Sequence, residues 1–294
     1  MNAVQSKQAS HLLPSMAVAL CGAVWGGFWV PLHWFASEGV GGAWVALIFN
    51  AMAMFSALPW LLRRDAWAGA ADQALSGLLL GTAFSLYTVS LVLTDVVHSI
   101  LLFYLTPVWS TLAGRFFLRQ RLSPSRILAM VMGFAGLASV LGFKDGIPLP
   151  RNWGDGLALV SGMLWAAGTL RSFHRPTRKV AMSVFSFAAG GCLSSALILA
   201  AAAALALPLA EPGHLRDMLP WIILLGLIIF VPPNFLVLWA AQRIDSARVG
   251  ILLMTEVLFG TLSAGLLSGQ PFTLAEGLGT ALIVSAGLIE VIRR

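Results

Sequence analysis

Residues 97–118 read VHSILLFYLTPVWSTLAGRFFL, an apolar run in which Arg115 is the single Asp, Glu, Lys or Arg. A helix needs about 20 apolar residues to cross the hydrocarbon core of a bilayer, so this run is long enough to span a membrane. Nine similar runs accompany it, and the ten predicted spans are 16–36, 42–62, 73–93, 97–118, 126–143, 153–172, 180–206, 219–241, 247–267 and 273–291. The sequence therefore predicts an all-α integral membrane protein with ten transmembrane helices.

The composition of the whole chain also indicates a protein that is solvated by lipid. Hydrophobic residues make up 59% of the 294 residues and charged residues 10%, whereas a soluble domain carries about 25% charged residues. Little sequence remains between the spans for a soluble catalytic domain. The net charge of +6 does not indicate nucleic-acid binding, because the basic residues stand in short loops between apolar spans.

The distribution of those basic residues predicts the orientation of the chain. Short cytoplasmic loops are enriched in Lys and Arg. With a cytoplasmic N-terminus, the outer side holds Lys144, Arg151 and Arg216, and the inner side holds Lys7, Arg63, Arg64, Arg115, Arg119, Arg121, Arg126, Arg171, Arg175, Arg178, Lys179, Arg243, Arg248, Arg293 and Arg294. We therefore expect a multi-pass protein of the bacterial inner membrane with both termini in the cytoplasm.

The sequence also contains an internal repeat. The tetrapeptide TPVW at 106–109 corresponds to TEVL at 255–258, and the pair TL at 111–112 corresponds to TL at 261–262. Two halves of five spans place the second half upside down relative to the first, which is the inverted repeat that many secondary transporters use for alternating access. We predict a cytoplasmic N-terminal segment at 1–15, a first repeat at 16–143, a linker at 144–152 and a second repeat at 153–294.

The repeat carries a resemblance to a known family. Ten spans in two halves, with Pro or Glu followed by Val in spans four and nine, resemble the drug/metabolite transporter superfamily, and each half is similar to an EamA-type domain. Within that superfamily, the segments FYLTPVWS at 103–110, WAA at 165–167 and SLY at 85–87 resemble the aromatic amino-acid exporters. The resemblance implies a secondary transporter that exports small metabolites, aromatic and other amino acids first, from a central cavity and without a cofactor.

Three positions depart from the pattern of that family. Gln120 and Gln270 stand near places where EamA domains often carry Glu, and Asn50 stands where many members have Arg. We interpret these differences as a cavity with fewer charges than in relatives that handle anions.

Two ionisable residues are candidates for the function. Glu256 lies near the centre of span nine, where an acid is costly unless it faces protein or water. It could bind a substrate ammonium or exchange a proton, or it could be a structural hydrogen-bonded carboxyl. His98 enters span four from the outside and is the residue type that titrates near neutral pH. It could sense pH or shuttle a proton, or it could be a solvated residue at a helix start.

Deep aromatic and amide side chains complete the predicted substrate site. Aromatic rings can form a pocket for an apolar side chain and attract an ammonium through the ring face, and an amide can bind a carboxylate or an amine. Ordinary core packing is the alternative for each of them. The predicted residues are Trp25, Tyr87, Tyr104, Trp109, Trp165, Asn50 and Asn234.

The sequence lacks several motifs that would indicate other functions. It contains no GxxxxGK[ST] for ATP and no HExxH for a metal enzyme. We therefore expect no enzyme and no metal, and we expect amino acids and the bilayer as partners and no nucleic acid. The oligomeric state stays open, and a monomer is compatible with the pattern. The alternatives are an exporter of cationic or lipophilic drugs and, less favoured, an intramembrane enzyme that acts on a lipid-linked substrate.

Overall fold

The computed structural model describes residues 2–62, 67, 69–117, 124–141, 150–174, 179–241, 243, 252–267 and 273–292. Every regular element in these ranges is a helix, and the helices form ten passes as predicted. Most of the loop residues that carry the charge bias, the greater part of the linker at 144–152, and Gln120 and Gln270 lie outside the described residues.

The first half of the chain contains spans 1 to 5. Two of them are built from two helices each. The bounds are span 1, Asn2–Gly26 and Trp29–Ser37; span 2, Gly42–Ala57 with a 3₁₀ turn at Leu58–Leu61; span 3, Ala70–Leu93; span 4, Val96–Phe103 and Thr106–Phe117; and span 5, Pro124–Leu141.

The second half contains spans 6 to 10. The bounds are span 6, Trp153–His174; span 7, Val180–Ala204; span 8, Pro212–Leu225, a π-helical turn at Gly226–Phe230, and Val231–Ala241; span 9, Thr255–Leu267; and span 10, Leu274–Ile292. Span 8 therefore begins earlier than the predicted 219, since its first turns hold polar residues such as His214 and Asp217 at the end of the bundle.

Five of the passes meet the length and hydropathy of a membrane-crossing helix on their own. They are Leu12–Ser37, Gly42–Leu61, Ala70–Leu93, Val180–Ala204 and Pro212–Ala240, and Thr255–Leu267 and Leu274–Ala286 are shorter apolar helices. We call the end of the bundle that holds the N-terminus the terminal end and the opposite one the far end.

The packing of the passes follows a two-fold exchange of the two halves. Spans 2 and 7, 4 and 9, and 5 and 10 each pack against their own counterpart. The other main interfaces occur in pairs that the exchange of the two halves relates to each other. Span 1 contacts span 9 as span 6 contacts span 4. Likewise, span 3 contacts span 6 as span 8 contacts span 1. The ten passes therefore form two inverted five-helix repeats.

Glycines allow the closest of these approaches. Gly77 and Gly81 of span 3 face Gly190 and Gly191 of span 7, and a Cβ at Gly81 would overlap the backbone of span 7. Small residues let helices in lipid approach until their backbones touch. Spans 3 and 7 are therefore in close backbone contact, and this contact joins the two halves.

The breaks in spans 4 and 8 follow from prolines. Pro107 has no N–H for the carbonyl of Phe103, and the hydroxyl of Thr106 donates to that carbonyl at 2.7 Å. In span 8, Pro233 likewise cannot donate to the carbonyl of Ile229. Broken helices in a membrane persist where neighbouring groups satisfy the freed backbone.

Candidate functional site

The side chain of Glu256 is held between two tyrosines at the centre of the bundle. The hydroxyl of Tyr104 donates to Oε2 of Glu256 at 2.7 Å, and the hydroxyl of Tyr87 donates to Oε1 at 3.3 Å. The Glu256 residue is only 6% exposed. Because Tyr87 belongs to span 3, Tyr104 to span 4 and Glu256 to span 9, the cluster joins the two halves. We call these three residues the central cluster.

Local structure places each member of the central cluster. Tyr104 stands at the break between the two helices of span 4, and its hydroxyl also lies 3.2 Å from the carbonyl of Leu253. Glu256 is the second residue of the span 9 helix. The neighbouring Thr255 donates to the carbonyl of Ala19 at 2.9 Å, which fixes the start of span 9 against span 1.

The charge of this site is unbalanced. Within the described ranges, the hydrogen-bond partners of the Glu256 carboxyl are phenol hydroxyls, and no Lys, Arg or His forms an ion pair with it. A buried carboxylate without a cation is costly in a membrane. The site can therefore accept a positively charged group or a proton.

Aromatic rings extend from the central cluster along the boundary between the halves. The ring of Phe103 stacks on Tyr87 with centroids 4.4 Å apart and meets Trp165 at 5.8 Å. Trp165 in turn lies 6.4 Å from Phe187. The rings continue through a set of buried or half-buried phenylalanines in spans 1, 2, 3, 7 and 8: Phe28, Phe49, Phe84, Phe187 and Phe230.

These phenylalanines are residues that the sequence analysis did not single out. They carry no polar group, and the sequence around them is as apolar as that around the exposed Phe55. Of the predicted residues, the structure brings Tyr87, Tyr104, Trp165 and Glu256 together.

Trp25 and Trp109 lie elsewhere. The indole N–H of Trp25 donates to the carbonyl of Ile229 at 3.2 Å, a carbonyl to which Pro233 cannot donate. The ring of Trp109 meets Phe134 of span 5 edge-on at 6.2 Å, and its buried indole N–H has no hydrogen-bond partner among the described residues.

The two predicted amides bond to their own helices. Nδ2 of Asn50 donates to the carbonyl of Ala46 at 2.7 Å, and Nδ2 of Asn234 donates to that of Phe230 at 3.0 Å. The oxygen Oδ1 of Asn50 is buried and has no hydrogen-bond partner within the part of the chain that the structure describes, and its amide lies against Gly191 of span 7.

His98 belongs to a second polar group at the far end. Its Nδ1 lies 4.0 Å from Oδ1 of Asp155, and its Nε2 lies 3.9 Å from Oε1 of Glu276. All three residues are buried. We call His98, Asp155 and Glu276 the far-end cluster.

A cavity of about 1030 Å³ opens near the terminal end between spans 1, 2, 7 and 8. Its walls come from both halves and are mainly apolar. They include Leu13, Trp60, Val180, Phe235 and Trp239.

Comparison with known proteins adds a family to this geometry. The model of the EamA-like transporter family matches residues 5–142 and 152–290, one match in each half. No curated protein matches the chain. A solved structure described only as "Crystal structure of protein" superposes with a TM-score of 0.57 at 18% identity, covering 97% of each chain, and this likeness concerns the fold alone.

Proposed function

The chain belongs to the EamA-like transporter family, and on that premise we propose that it is a secondary exporter of small metabolites, with aromatic and other amino acids as its cargo. The family makes it a multi-pass membrane transporter of the drug/metabolite type. The choice of amino acids and the kinship with the aromatic amino-acid exporters are the parts that we propose.

The proposed orientation has the terminal end in the cytoplasm of a bacterial cell. It follows from the excess of Lys and Arg in the loops on that side. The cavity between spans 1, 2, 7 and 8 is then the entrance for cargo from the cell, and rocking of the two repeats would expose the centre to the outer side.

The observation that carries the proposal is the central cluster with its adjoining rings. An amino-acid ammonium would supply the missing cation beside Glu256, and it would lie close to the phenol oxygens of the two tyrosines. The cargo side chain would then lie against Phe103, Trp165 and Phe187, where an aromatic ring can adopt the offset or edge-on contacts that such rings prefer. A cargo with an ammonium next to a flat apolar group fits both features.

The carboxylate of such a cargo needs donors. The amide of Asn234 has a second N–H besides the one that bonds Phe230. Asn50 presents an acceptor, its Oδ1, so we assign it to the ammonium rather than to the carboxylate.

An exporter of lipophilic cations is the second candidate, because a lone buried carboxyl beside aromatic rings also suits an organic cation. The two candidates differ in what the carboxylate of the cargo contributes. If the protein is an amino-acid exporter, amino acids should compete for transport better than the corresponding decarboxylated amines. If it is a drug exporter, the amines should be the better competitors.

The test is uptake into proteoliposomes of a panel of labelled amino acids and of the corresponding amines, with and without a pH gradient. We expect aromatic amino acids to move faster than into empty liposomes. If no member of the panel does so, the cargo assignment is wrong. Turnover of a lipid-linked substrate in detergent, with no movement of an intact compound, would indicate an enzyme instead.

A further inference from the structure

The far-end cluster lies where two halves of the molecule meet and is built from the ends of helices. His98 is in the first turn of span 4, Asp155 is in the first turn of span 6, and Glu276 is in the first turn of span 10. Span 4 belongs to the first repeat, and spans 6 and 10 belong to the second. Any opening of the far end that parts the repeats must therefore change these contacts.

Both carboxylates are fixed by bonds to their surroundings. Asp155 accepts from the hydroxyl of Thr94 at 2.6 Å and from the backbone N–H of Arg151 at 2.9 Å. Glu276 forms a capping box with Thr273, whose N–H and hydroxyl donate to Oε2 at 2.7 and 3.0 Å. This leaves Oε1 of Glu276 directed at the imidazole. The two carboxylates are therefore held in place, and the imidazole between them is the group whose protonation can change.

A neutral imidazole cannot satisfy this arrangement. It has one N–H and one lone pair, so one ring nitrogen of His98 would turn its lone pair toward a carboxylate. A protonated ring has an N–H on each side and faces one carboxylate with each. The residues His98, Asp155 and Glu276 are 6%, 0% and 9% exposed, so water weakens these charge interactions little.

Other charged groups stand on the elements around this ring. Asp95, on the same helix as His98, caps that helix by accepting from the N–H groups of Val97 and His98. The side chain of Arg151 is exposed. Spans 3, 5 and 9 also pack on the first helix of span 4. Span 9 contributes Glu256, which is bound to the tyrosines of the central cluster. The charged residues of spans 3 and 5, Asp72 and Arg126, belong to the first turns of their helices, toward the terminal end.

We propose that His98 is a proton-binding site and that the bound proton, shared with Asp155 and Glu276, holds the far end closed. This inference rests on the proposed alternating access, in which the far end faces the outside. The proton binds the closed state in preference to the open one, so acid favours closure and a more alkaline outer solution releases it. The same proton enters and leaves from the outer solution, so it controls the gate without crossing the membrane.

The experiment measures opening directly and needs no cargo. Ala158 is fully buried and lies one turn deeper than Asp155 on span 6. Ala158→Cys is introduced into a chain in which Cys21 and Cys192 are replaced by alanine, and its reaction with a methanethiosulfonate is timed in nanodiscs. The reference is Gly213→Cys, because Gly213 is exposed and a Cβ there meets open space. The ratio of the two rates removes the pH dependence of the thiol itself.

We expect the labelling ratio to be at least about threefold higher at about pH 8 than at about pH 5.5. His98→Gln should abolish that dependence, whereas His33→Gln, which removes a histidine near Leu91 of the same end, should retain it. Asp155→Asn and Glu276→Gln each remove one anion, so the transition should move to lower pH.

A ratio that does not change with pH in the protein with native His98 would overturn the proposal, as would a pH dependence that survives His98→Gln. A transition that moves to higher pH in Asp155→Asn would also contradict it. The cargo assignment is judged separately, since failure of every amino acid in the liposome assay leaves the labelling result intact.

Discussion

The central cluster and the far-end cluster both bury carboxylates, and they hold them in opposite ways. Glu256 receives hydrogen bonds from the neutral hydroxyls of Tyr104 and Tyr87, at 2.7 and 3.3 Å. Asp155 and Glu276 are tied to helix ends and face His98 across about 4 Å. The first arrangement leaves an acid without a cation, ready for a ligand that brings one. The second places a histidine between its two carboxylates, and that side chain is a cation only when it is protonated.

The largest effect should come from Glu256→Gln. The amide keeps the size of the side chain and removes the charge that a cargo ammonium would meet, so we expect transport to fall at least about tenfold, since hydrogen bonds to charged groups contribute roughly 1.5–3 kcal/mol. Thermal unfolding in detergent should change little. The control is Glu38→Gln, which neutralises an exposed acid at the far end. If Glu256→Gln transports normally, the central cluster is structural.

Asp155→Ala should have the next largest effect, and it should act on stability. It leaves the half-buried hydroxyl of Thr94 and the N–H of Arg151 without their acceptor, which costs about 1–3 kcal/mol. We expect a lower unfolding temperature in detergent, with Asp155→Asn in between because an amide oxygen remains. Equal losses of stability in Asp155→Ala and Glu256→Gln would erase the difference drawn between the two clusters.

The two tyrosines should differ from each other. Tyr104→Phe removes the shorter bond to Glu256 and a contact with the carbonyl of Leu253, whereas Tyr87→Phe removes the bond of 3.3 Å. One hydrogen bond contributes ~1 kcal/mol, so we expect the apparent affinity for cargo to weaken about fivefold in Tyr104→Phe and less in Tyr87→Phe. Competition curves in proteoliposomes measure both. The reverse order would mean that the carboxyl turns toward Tyr87 when cargo binds.

The smallest effect should be that of Glu276→Gln on stability. Glutamine can form the same capping box with Thr273, so we expect the unfolding temperature to stay within the range of a few tenths of a kcal/mol that surface changes produce. Glu276→Ala loses the capping box and should be less stable by roughly 0.5–2 kcal/mol, as for other lost caps. If the two variants unfold alike, the capping bonds contribute nothing and Glu276 serves only the histidine.

The sequence was sufficient for the passes and the repeat, because both depend on apolar length and on the order of matching residues. It also named each member of the central cluster. It could not pair Glu256 with Tyr87 and Tyr104, since these contacts join residues far apart along the chain. It named His98 and missed Asp155 and Glu276, whose positions near helix starts suggest only capping until the three helix ends are brought together.

The phenylalanines show the physical limit of such a prediction. Phe84 and Phe230 lie between the repeats, and Phe55 and Phe116 lie on the outer surface. In water, burial separates such residues by hydrophobicity, but lipid is as apolar as a protein core. A phenylalanine is therefore equally suited to either side, and its direction depends on which helices pack together.

Span 8 consists of two regular α-helices joined by an irregular segment. That segment is the π-helical turn at Gly226–Phe230 followed by Pro232 and Pro233, where the regular series of backbone hydrogen bonds is interrupted. The indole of Trp25 connects this segment to span 1, because it donates to the carbonyl of Ile229. The helix that follows carries Phe235 and Trp239 in the wall of the large cavity. One indole hydrogen bond thus links span 1 to the irregular segment that precedes this wall.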